Sequence, residues 1–289
     1  MKKLLIVGCG DIALRALPQL VRNYQVYGLV RAAGQADCVA GLGATVLLGD
    51  LDLPAGLQLL AFGADLVLHL APPGESGDSD QRSANLIAAL SLRPPERLVY
   101  ISTSGVYGDC GGAWVDEDRP PAPQSPRGAR RLDAERALLA WGEHSGVSVA
   151  VLRVPGIYAA ERLPLAMLRR GAPVLCAEDD VYTNHIHADD LARICSTALE
   201  RGAAGRVYNA SDDGEIKMGD YFDLVADRSG LPRPPRVTRA AAEAGAISEG
   251  LLSFMRESRR LVNTRMKAEL GVQLRYPSVY EGVPKIAAS

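Results

Sequence analysis

Two glycines directly after the first apolar run of the chain could bind a phosphate. The run ends at Val7 and is followed by Gly8-Cys9-Gly10-Asp11-Ile12-Ala13, which is a G-x-G-x-x-A pattern. Between a strand and a helix, the first glycine permits a tight turn, the second lets a pyrophosphate approach the bare backbone, and the first amides of the helix face the anion. Asp11 would cap that helix, although its negative charge opposes a phosphate. The pattern predicts a dinucleotide site that includes Gly8, Gly10, Asp11 and Ile12.

The end of the second apolar run indicates which dinucleotide is bound. In NAD-binding folds an acid about 20 residues after the glycines accepts hydrogen bonds from the ribose 2′-hydroxyl, whereas an arginine accommodates the 2′-phosphate of NADP. Here the segment Gly28-Leu29-Val30-Arg31 offers an arginine and no acid. We therefore predict NADP as the cofactor and NAD as the alternative, unless Arg31 is only a solvated loop residue.

These residues need strands and helices to position them, and the first 154 residues alternate short apolar runs with helical patterns. Strands are predicted over Lys3–Val7, Gln25–Val30, Ala44–Leu48, Asp65–Leu70, Arg97–Ser102 and Val147–Val154. Helices are predicted over Asp11–Val21, Gly34–Leu42, Asp80–Leu92 and Arg127–Glu143. This alternation is typical of an α/β fold of the Rossmann type, a doubly wound parallel sheet with helices on both faces.

The pattern loosens after Pro155, which indicates a second, smaller lobe. Ala188–Glu200 still has the pattern of an amphipathic helix, and Arg206–Asn209 that of a strand that rejoins the sheet. We therefore expect an NADP-binding domain from residues 1–154 plus about 188–210. An interwoven substrate-binding lobe would comprise about 155–187 plus 211–289. The turn-rich loop from Gly108 to Pro126 follows the carboxyl end of a strand, where open parallel sheets bind ligands.

Composition and charge exclude several classes of protein. The 289 residues are 47% hydrophobic and 23% charged, with a net charge of −2, which is ordinary globular usage and gives no electrostatic basis for binding nucleic acid or an anionic membrane. Five cysteines without a C-x-x-C pair predict neither a disulfide framework nor a metal site, and a cytoplasmic location is the simplest. The apolar run after Lys3 is too short for a signal peptide, and no stretch reaches the ~18 apolar residues of a transmembrane helix.

Seven motifs follow one another in an order that a known family shares. They are Gly8-x-Gly10, Gly49-Asp50-Leu51, His69-Leu70-Ala71, Ser102-Thr103-Ser104-Gly105-Val106-Tyr107-Gly108-Asp109, Ser125-Pro126-x-Gly128 with Ala134-Glu135, Arg153-x-Pro155-Gly156-Ile157-Tyr158, and His187-Ala188-Asp189-Asp190-Leu191. The series resembles the extended short-chain dehydrogenases/reductases of the NAD(P)-dependent epimerase/dehydratase type, over nearly the whole chain. The segments Asn263-x-Arg265-x-Lys267-x-Glu269-Leu270-Gly271 and Leu274-Arg275-Tyr276-Pro277 look like the closing region of an atypical branch.

The resemblance implies further cofactor contacts and an oligomeric state. Asp50 and Leu51 would meet the adenine, whereas Pro155 would lie on the nicotinamide side. The stretch between phosphate and ribose would be met by Leu70, Ala71 and Pro72. Family members commonly form homodimers through two helices, which here would be Asp80–Leu92 and Arg127–Glu143.

The same resemblance exposes a departure in the catalytic pattern. The family uses a Ser or Thr, a Tyr, and a Lys four residues after the Tyr, and the phenol transfers a proton while hydride passes to or from nicotinamide. Thr103 takes the hydroxyl position and Ser104 could assist, but Arg127 and Arg131 stand at the Tyr and Lys positions. A guanidinium stays protonated near neutral pH and is no general acid. The site is therefore predicted to lack the Tyr-x-x-x-Lys pair.

Four explanations of this departure stay open. Another group could supply the proton, and the candidates are Tyr107, Asp109, Tyr158, Tyr182, His185 and His187, with Tyr182 and His185 best placed. The two arginines could instead clamp an anionic substrate, since their fork geometry suits phosphate and carboxylate. The protein could bind NADP without turnover. Finally, Arg127, Arg130 and Arg131 could form a solvated helix face that pairs with Asp133 and Glu135.

We predict an NADP-dependent oxidoreductase or epimerase that acts on a small polar, sugar-nucleotide-like or anionic substrate. The alternative is a catalytically silent NADP(H)-binding sensor or interaction protein. Outside this site, Asp189 and Asp190 are expected to have structural roles, one capping the helix that begins there and the other holding a neighbouring loop. His69 is expected to pack at the end of its strand.

Overall fold

A seven-stranded parallel sheet forms the centre of the protein in a computed structural model that describes residues 1–286. Its strands run in the order β12-β7-β5-β4-β1-β2-β3. They are β1 (Lys3–Val7), β2 (Gln25–Val30), β3 (Thr45–Leu48), β4 (Leu66–His69), β5 (Arg97–Thr103), β7 (Ser148–Val154) and β12 (Arg206–Asn209). The strand order reverses between β1 and β4, so the predicted doubly wound α/β fold is confirmed.

Helices connect these strands and cover both faces of the sheet. The longer ones are α1 (Asp11–Asn23), α2 (Ala33–Gly41), α3 (Gln81–Leu90), α4 (Pro126–Ser145), α6 (Ala188–Arg201) and α7 (Met218–Arg228). The shorter ones are α5 (Leu165–Arg169), α8 (Arg239–Ala241), α9 (Glu249–Met255), α10 (Thr264–Leu270) and α11 (Val279–Gly282). Tight 3-10 turns span Pro54–Phe62, Ser104–Tyr107 and Ala160–Arg162, and a π-turn spans Ala242–Ala246.

Within residues 1–286, four pairs of short strands lie outside the central sheet. They are β6 (Trp114–Val115) with β15 (Arg260–Leu261), β8 (Gly156–Tyr158) with β11 (His185–His187), β9 (Val174–Leu175) with β14 (Arg236–Val237), and β10 (Tyr182–Thr183) with β13 (Ile216–Lys217). The β6–β15 pair ties the turn-rich loop that follows β5 to the C-terminal part of the chain. The sequence did not predict these pairs, because two or three residues are too few to establish an alternating pattern.

The core forms on both faces of the sheet because successive strand residues point in opposite directions. On β1, Leu4 and Ile6 pack with α1 and α6, whereas Leu5 and Val7 pack on the face that α3 and α4 cover. A third apolar cluster is built from residues between Tyr158 and Val283 and lies apart from these two. The assignment of the chain to a cofactor domain and a substrate lobe stays a prediction.

The start of α6 corrects one expectation about its two acids. His187 caps the helix, because its Nδ1 accepts a hydrogen bond from the Asp189 amide at 3.2 Å, while the Asp189 carboxylate pairs with Arg15. The other half of the expectation is confirmed. Asp190 accepts hydrogen bonds from the amides of Arg275 and Tyr276, and so holds the loop before α11.

A buried ion pair fastens α4 to the sheet. Arg153 on β7 donates to Glu135 on α4 at 2.8 Å, and the Ser102 hydroxyl on β5 donates to the same carboxylate. The side chains of Arg153 and Glu135 are only 6% and 2% exposed, so both charges have lost their hydration. The attraction between the two charges replaces that lost hydration.

We expect Glu135→Gln to lower the free energy of unfolding by about 3 kcal/mol, because it leaves the Arg153 charge buried without its counter-charge. Denaturant unfolding of both proteins measures the difference. Glu96→Gln is the matched control, since it removes the surface pair with Lys2, whose partners are 53% and 59% exposed, and should cost less than about 1 kcal/mol. Equal losses in the two variants would contradict the importance of the buried pair.

Acid is expected to destabilise the protein through His69. Burial, helped by the Arg131 charge, lowers the pKa of His69 from 6.5 to about 3, so the unfolded chain binds a proton between these values and the folded protein does not. The stabilising effect is complete above pH 6.5 and is lost as the pH falls, by about 2 kcal/mol at pH 5. In His69→Gln the fall in unfolding free energy between pH 7 and pH 5 should be smaller by that amount. An identical pH dependence in the two proteins would contradict the assignment.

Candidate active site

The turn after β1 leaves no room for a side chain. Gly8 has a φ of +93°, and a Cβ atom there would lie 2.6 Å from the amide nitrogen of Ala71. The backbone at the end of β4 therefore packs directly against this turn, and both segments present bare main chain at the carboxyl edge of the sheet. This is the arrangement for which the first glycine of the pattern is needed.

The N-terminus of α1 is open to an anion. Gly10 precedes the helix without a capping side chain, and a Cβ atom at this position would meet nothing within 4 Å. The Asp11 carboxylate accepts hydrogen bonds from Arg15 at 2.8 Å and Arg162 at 3.0 Å. Two guanidinium groups thus offset the negative charge that counted against a phosphate here.

A first cavity of about 340 Å³ opens in front of this helix end. It is lined by ten of the eleven residues that the sequence assigned to the cofactor, which come from the segments after β1, β2, β3 and β4 and from the start of α1. They are Gly8, Gly10, Asp11, Ile12, Arg31, Asp50, Leu51, Leu70, Ala71 and Pro72. The exposed backbone, the uncapped helix amides and the arginine at the end of β2 all offer hydrogen-bond donors or positive charge, which suits a phosphorylated dinucleotide.

Two arginines that the sequence analysis did not select also line the first cavity. Arg82 on α3 pairs with Asp52 at 2.7 Å and donates to the carbonyl of Pro72 at 3.1 Å. Its guanidinium holds the pKa of Asp52 below its usual value. Arg162 reaches the cavity from the 3-10 turn that follows β8. Neither arginine is part of a local sequence motif, because each reaches the cavity only through the packing of segments that are distant in sequence.

A second cavity of about 540 Å³ adjoins the first, and four residues line both. These are Ile101, Arg131, Ile157 and Arg162. The second cavity contains the remaining predicted residues, namely Thr103, Ser104, Arg127, Arg131 and Pro155. The same cavity is also lined by Tyr182, Asn184 and His185, together with Phe254, Glu257 and Arg259 from the C-terminal part of the chain.

Arg131 is fixed at the boundary between the cavities. Its Nη1 donates to the carbonyl of Ile101 at 2.7 Å and to the hydroxyl of Tyr100 at 3.0 Å. Burial raises the pKa of Tyr100 to about 12 even though Arg131 acts in the opposite direction, so the phenol stays protonated. Arg131 thus bonds to neutral acceptors, and within residues 1–286 it forms no ion pair.

Arg127 lies one helical turn earlier, and its guanidinium is positioned by an aromatic ring. Its Cζ atom is 4.3 Å from the centroid of the Phe254 ring, and no residue of the described chain accepts a hydrogen bond from its guanidinium. Desolvation in the cleft lowers its pKa, and Arg131 and Arg259 act in the same direction, while Glu257 opposes them. An arginine pKa starts so high that the group remains charged.

The pairing of these arginines with neighbouring acids on α4 is not found. Glu135 is occupied by Arg153, and Asp133 accepts a hydrogen bond from the Asp80 amide at 2.8 Å. The third arginine of the run, Arg130, donates to the carbonyl of Gly77. The pairing half of the exposed-face interpretation is therefore wrong, because Glu135 turns inwards, whereas Arg127 itself is exposed and Arg131 is half-buried.

Of the six groups considered as proton donors, Tyr182 and His185 line the second cavity. The others have structural partners: Tyr107 donates to Asn209, Tyr158 donates to the carbonyl of Ser278, Asp109 accepts from the amide of Ser258, and His187 caps α6. Burial lowers the pKa of His185 to about 3, so its imidazole is neutral at pH 7. His69 packs at the end of β4 as expected, with Nε2 2.9 Å from the Ser83 hydroxyl.

Two general features concern residues 1–286 as a whole. No three His, Cys, Asp or Glu side chains in this part of the chain are grouped so that they could hold a metal ion. Within the same range, none of the helices combines the length and the apolar character that crossing a bilayer requires.

Comparison with known proteins places this site in a family. The model of the NAD dependent epimerase/dehydratase family matches residues 10–211. A ketoreductase of Stigmatella aurantiaca for 4-hydroxy-2-methyl-3-oxo-4-farnesyl-3,4-dihydroquinoline-1-oxide is 26% identical over 267 residues, covering 85% of this chain and 80% of that protein. The dTDP-glucose 4,6-dehydratase of Streptomyces griseus is 27% identical over 203 residues, covering 63% of this chain and 61% of that protein.

A solved structure agrees over almost the full length. A functionally unknown conserved protein from Silicibacter pomeroyi superposes with a TM-score of 0.80 at 29% identity, covering 98% of this chain and 96% of that one. The family match spans most of the chain, begins at Gly10, and includes the β5 end and the start of α4. This protein therefore belongs to the NAD-dependent epimerase/dehydratase family, within the extended short-chain dehydrogenases/reductases that its ordered motifs resemble.

Proposed function

We propose that the protein is an NADP-dependent oxidoreductase that reduces a small carbonyl compound. The observation that carries this proposal is the continuity of the two cavities through Arg131 and Ile157. A dinucleotide whose phosphates lie at the α1 end would extend towards this boundary, and a substrate in the second cavity would lie beside it. Residues 1–154 and about 188–210 would hold the cofactor, and about 155–187 with 211–289 would hold the substrate.

Arg31 supports a preference for NADP. It lies at the carboxyl end of β2 on the wall of the first cavity, where a ribose 2′-phosphate would need a cation. The segment Gly28–Arg31 has no acid that would select the 2′-hydroxyl of NAD. Reduced nicotinamide, when bound, supplies the hydride that converts a carbonyl carbon into an alcohol carbon. The protein must then position the carbonyl and deliver a proton to its oxygen.

Thr103 and Ser104 would orient the carbonyl. Thr103 Oγ1 accepts a hydrogen bond from the Gly105 amide at 3.2 Å, which leaves the hydroxyl proton free to donate. Arg131 would stabilise negative charge that develops on the oxygen, but neither Arg131 nor Arg127 can give up a proton at neutral pH. A positioned proton donor contributes ~10²–10⁴-fold to the rate. We assign this role to Tyr182, the candidate phenol that lines the second cavity.

Reduction rather than epimerisation is supported by a relative that covers 85% of this chain. That protein is a ketoreductase, whereas the sugar-nucleotide dehydratase covers less of this chain and is covered over about three fifths of its own length. A second candidate function, a sensor, rests on one specific observation. Both positions of the missing pair hold permanent cations, which suits a protein that binds NADP(H) as a sensor and leaves it unreacted.

Arg31→Ala should abolish the preference between the two dinucleotides. We expect the protein to bind NADPH at least ten-fold more tightly than NADH, and the variant to bring the two affinities together, because one charge-assisted hydrogen bond contributes about 1.5–3 kcal/mol. Titration monitored by the fluorescence of the reduced nicotinamide gives both dissociation constants. Arg22→Ala on the exposed side of α1 is the control. Equal affinities in the unchanged protein would contradict the NADP assignment.

Tyr182→Phe should lower kcat by about 100-fold without changing the affinity for NADPH, because it removes the proton donor and leaves the first cavity intact. The measurement is loss of reduced-nicotinamide absorbance with a panel of ketones and nucleotide sugars. Tyr280→Phe, at a site 49% exposed, is the control.

The double variant Arg127→Tyr with Arg131→Lys separates this proposal from the silent sensor. If the natural protein binds NADPH but reduces nothing in the panel, and the double variant gains reductase activity, the sensor interpretation replaces the enzyme. If the natural protein turns over and Tyr182→Phe is as fast, another group carries the proton.

A further inference from the structure

The second cavity contains more positive charge than its acids offset. Its walls carry the guanidinium groups of Arg127, Arg131, Arg162 and Arg259, and the acid that accompanies them is Glu257. Arg162 is paired with Asp11 at 3.0 Å, and Arg259 with Glu257 at 2.8 Å. Arg127 and Arg131 have no ion-pair partner within residues 1–286. The cavity thus holds two uncompensated cations in a protein whose overall net charge is −2.

Arg127 is arranged so that its donors stay available. The ring of Phe254 covers one face of the guanidinium at 4.3 Å, which restricts the plane of the group without using any of its N–H bonds. The edge of a guanidinium is a fork of parallel donors, and this geometry matches two oxygens of a carboxylate or phosphate. Because stacking already orders the guanidinium, the side chain loses less conformational entropy when it binds a carboxylate or phosphate.

Arg259 adds a second unsatisfied donor among the residues that line the second cavity. The residue is 9% exposed, and its Nη1 donates to the carbonyl of Gly108 at 2.7 Å and to Glu257. Its Nε is buried and has no hydrogen-bond partner. A buried donor without an acceptor costs stability until a ligand supplies one.

We propose that the substrate carries an oxyanion, a carboxylate or a phosphate, and that Arg127 binds it in the second cavity through the edge of its guanidinium. This inference rests on the proposed function for the carbonyl that would lie beside Thr103. The position that gives the family its phenol would here supply the counter-charge of the substrate. Arg131, fixed to β5 by its own hydrogen bonds, would contribute charge at longer range.

The test uses the full-length protein saturated with NADP⁺ and calorimetric titration with malonate, its neutral analogue malonamide, and inorganic phosphate. We expect an oxyanion to bind and malonamide not to bind. Arg127→Gln should weaken binding of the oxyanion at least ten-fold, and Arg127→Lys should weaken it less, because the charge remains while the fork is lost. Arg136→Gln is the matched control, on the exposed side of the same helix.

Each result decides for or against the proposal. Tighter binding of malonate indicates a carboxylate substrate, tighter binding of phosphate indicates a phosphorylated one, and either supports Arg127 as the anion site. Equal binding of malonate and malonamide, absence of binding by both anions, or unchanged affinity in Arg127→Gln would overturn it. Thermal unfolding of the variants excludes loss of fold as the cause.

The titration also separates this inference from the proposed function. Repeating it without NADP⁺ measures the anion site alone. If oxyanions bind through Arg127 but NADPH does not bind at all, the cofactor proposal fails and the anion site stands. If NADPH binds and is oxidised by neutral ketones only, the function stands and the anion site fails.

Discussion

The buried ion pair between Glu135 and Arg153 fixes the geometry on which the rest of the site depends. It joins α4 to β7 and, through the Ser102 hydroxyl, to β5, at a depth where neither charge could exist alone. Residues four apart on a helix share one face. Arg127, Arg131 and Glu135 therefore form one stripe along α4. Because Glu135 is anchored beneath the strands, the two arginines are carried to the carboxyl edge of the sheet.

Gly128 allows the start of α4 to pack closely against the end of β5. A Cβ atom at position 128 would lie 2.8 Å from the carbonyl oxygen of Gly105, so α4 packs directly against the turn that follows Thr103. The N-terminal turn of α4 is set by Ser125, whose hydroxyl accepts a hydrogen bond from the Gly128 amide. The start of α4 is therefore held against the end of β5, and Glu135 holds the same helix to the sheet further along. These two contacts bring the hydroxyl group of Thr103 and the cations of α4 into one cavity.

The sequence predicted correctly those features that depend on local patterns, namely several strands and the residues that follow them. Three strands, Lys3–Val7, Gln25–Val30 and Arg206–Asn209, were predicted with the bounds that the structure has. The residues around the first cavity follow from their position just after strand ends, since the carboxyl ends of parallel strands meet at one edge. Phe254 and Arg259 could not be found this way. Their segment reaches the site through the β6–β15 pairing, which joins residues about 145 positions apart and leaves no periodic signal.

The two arginines also change which kind of chemistry the helix can provide. Arginine makes up 27 of the 289 residues, and several of those on the surface form ion pairs, such as Arg233 with Asp227. A tyrosine beside a lysine offers a proton that can leave, whereas a guanidinium offers a charge that cannot. A permanent charge binds an anion equally well before and during the reaction, so it improves the capture of substrate more than the rate of the chemical step. An enzyme with Arg127 at this position cannot obtain its proton from that side chain and needs another donor along the second cavity, which is the role that we propose for Tyr182.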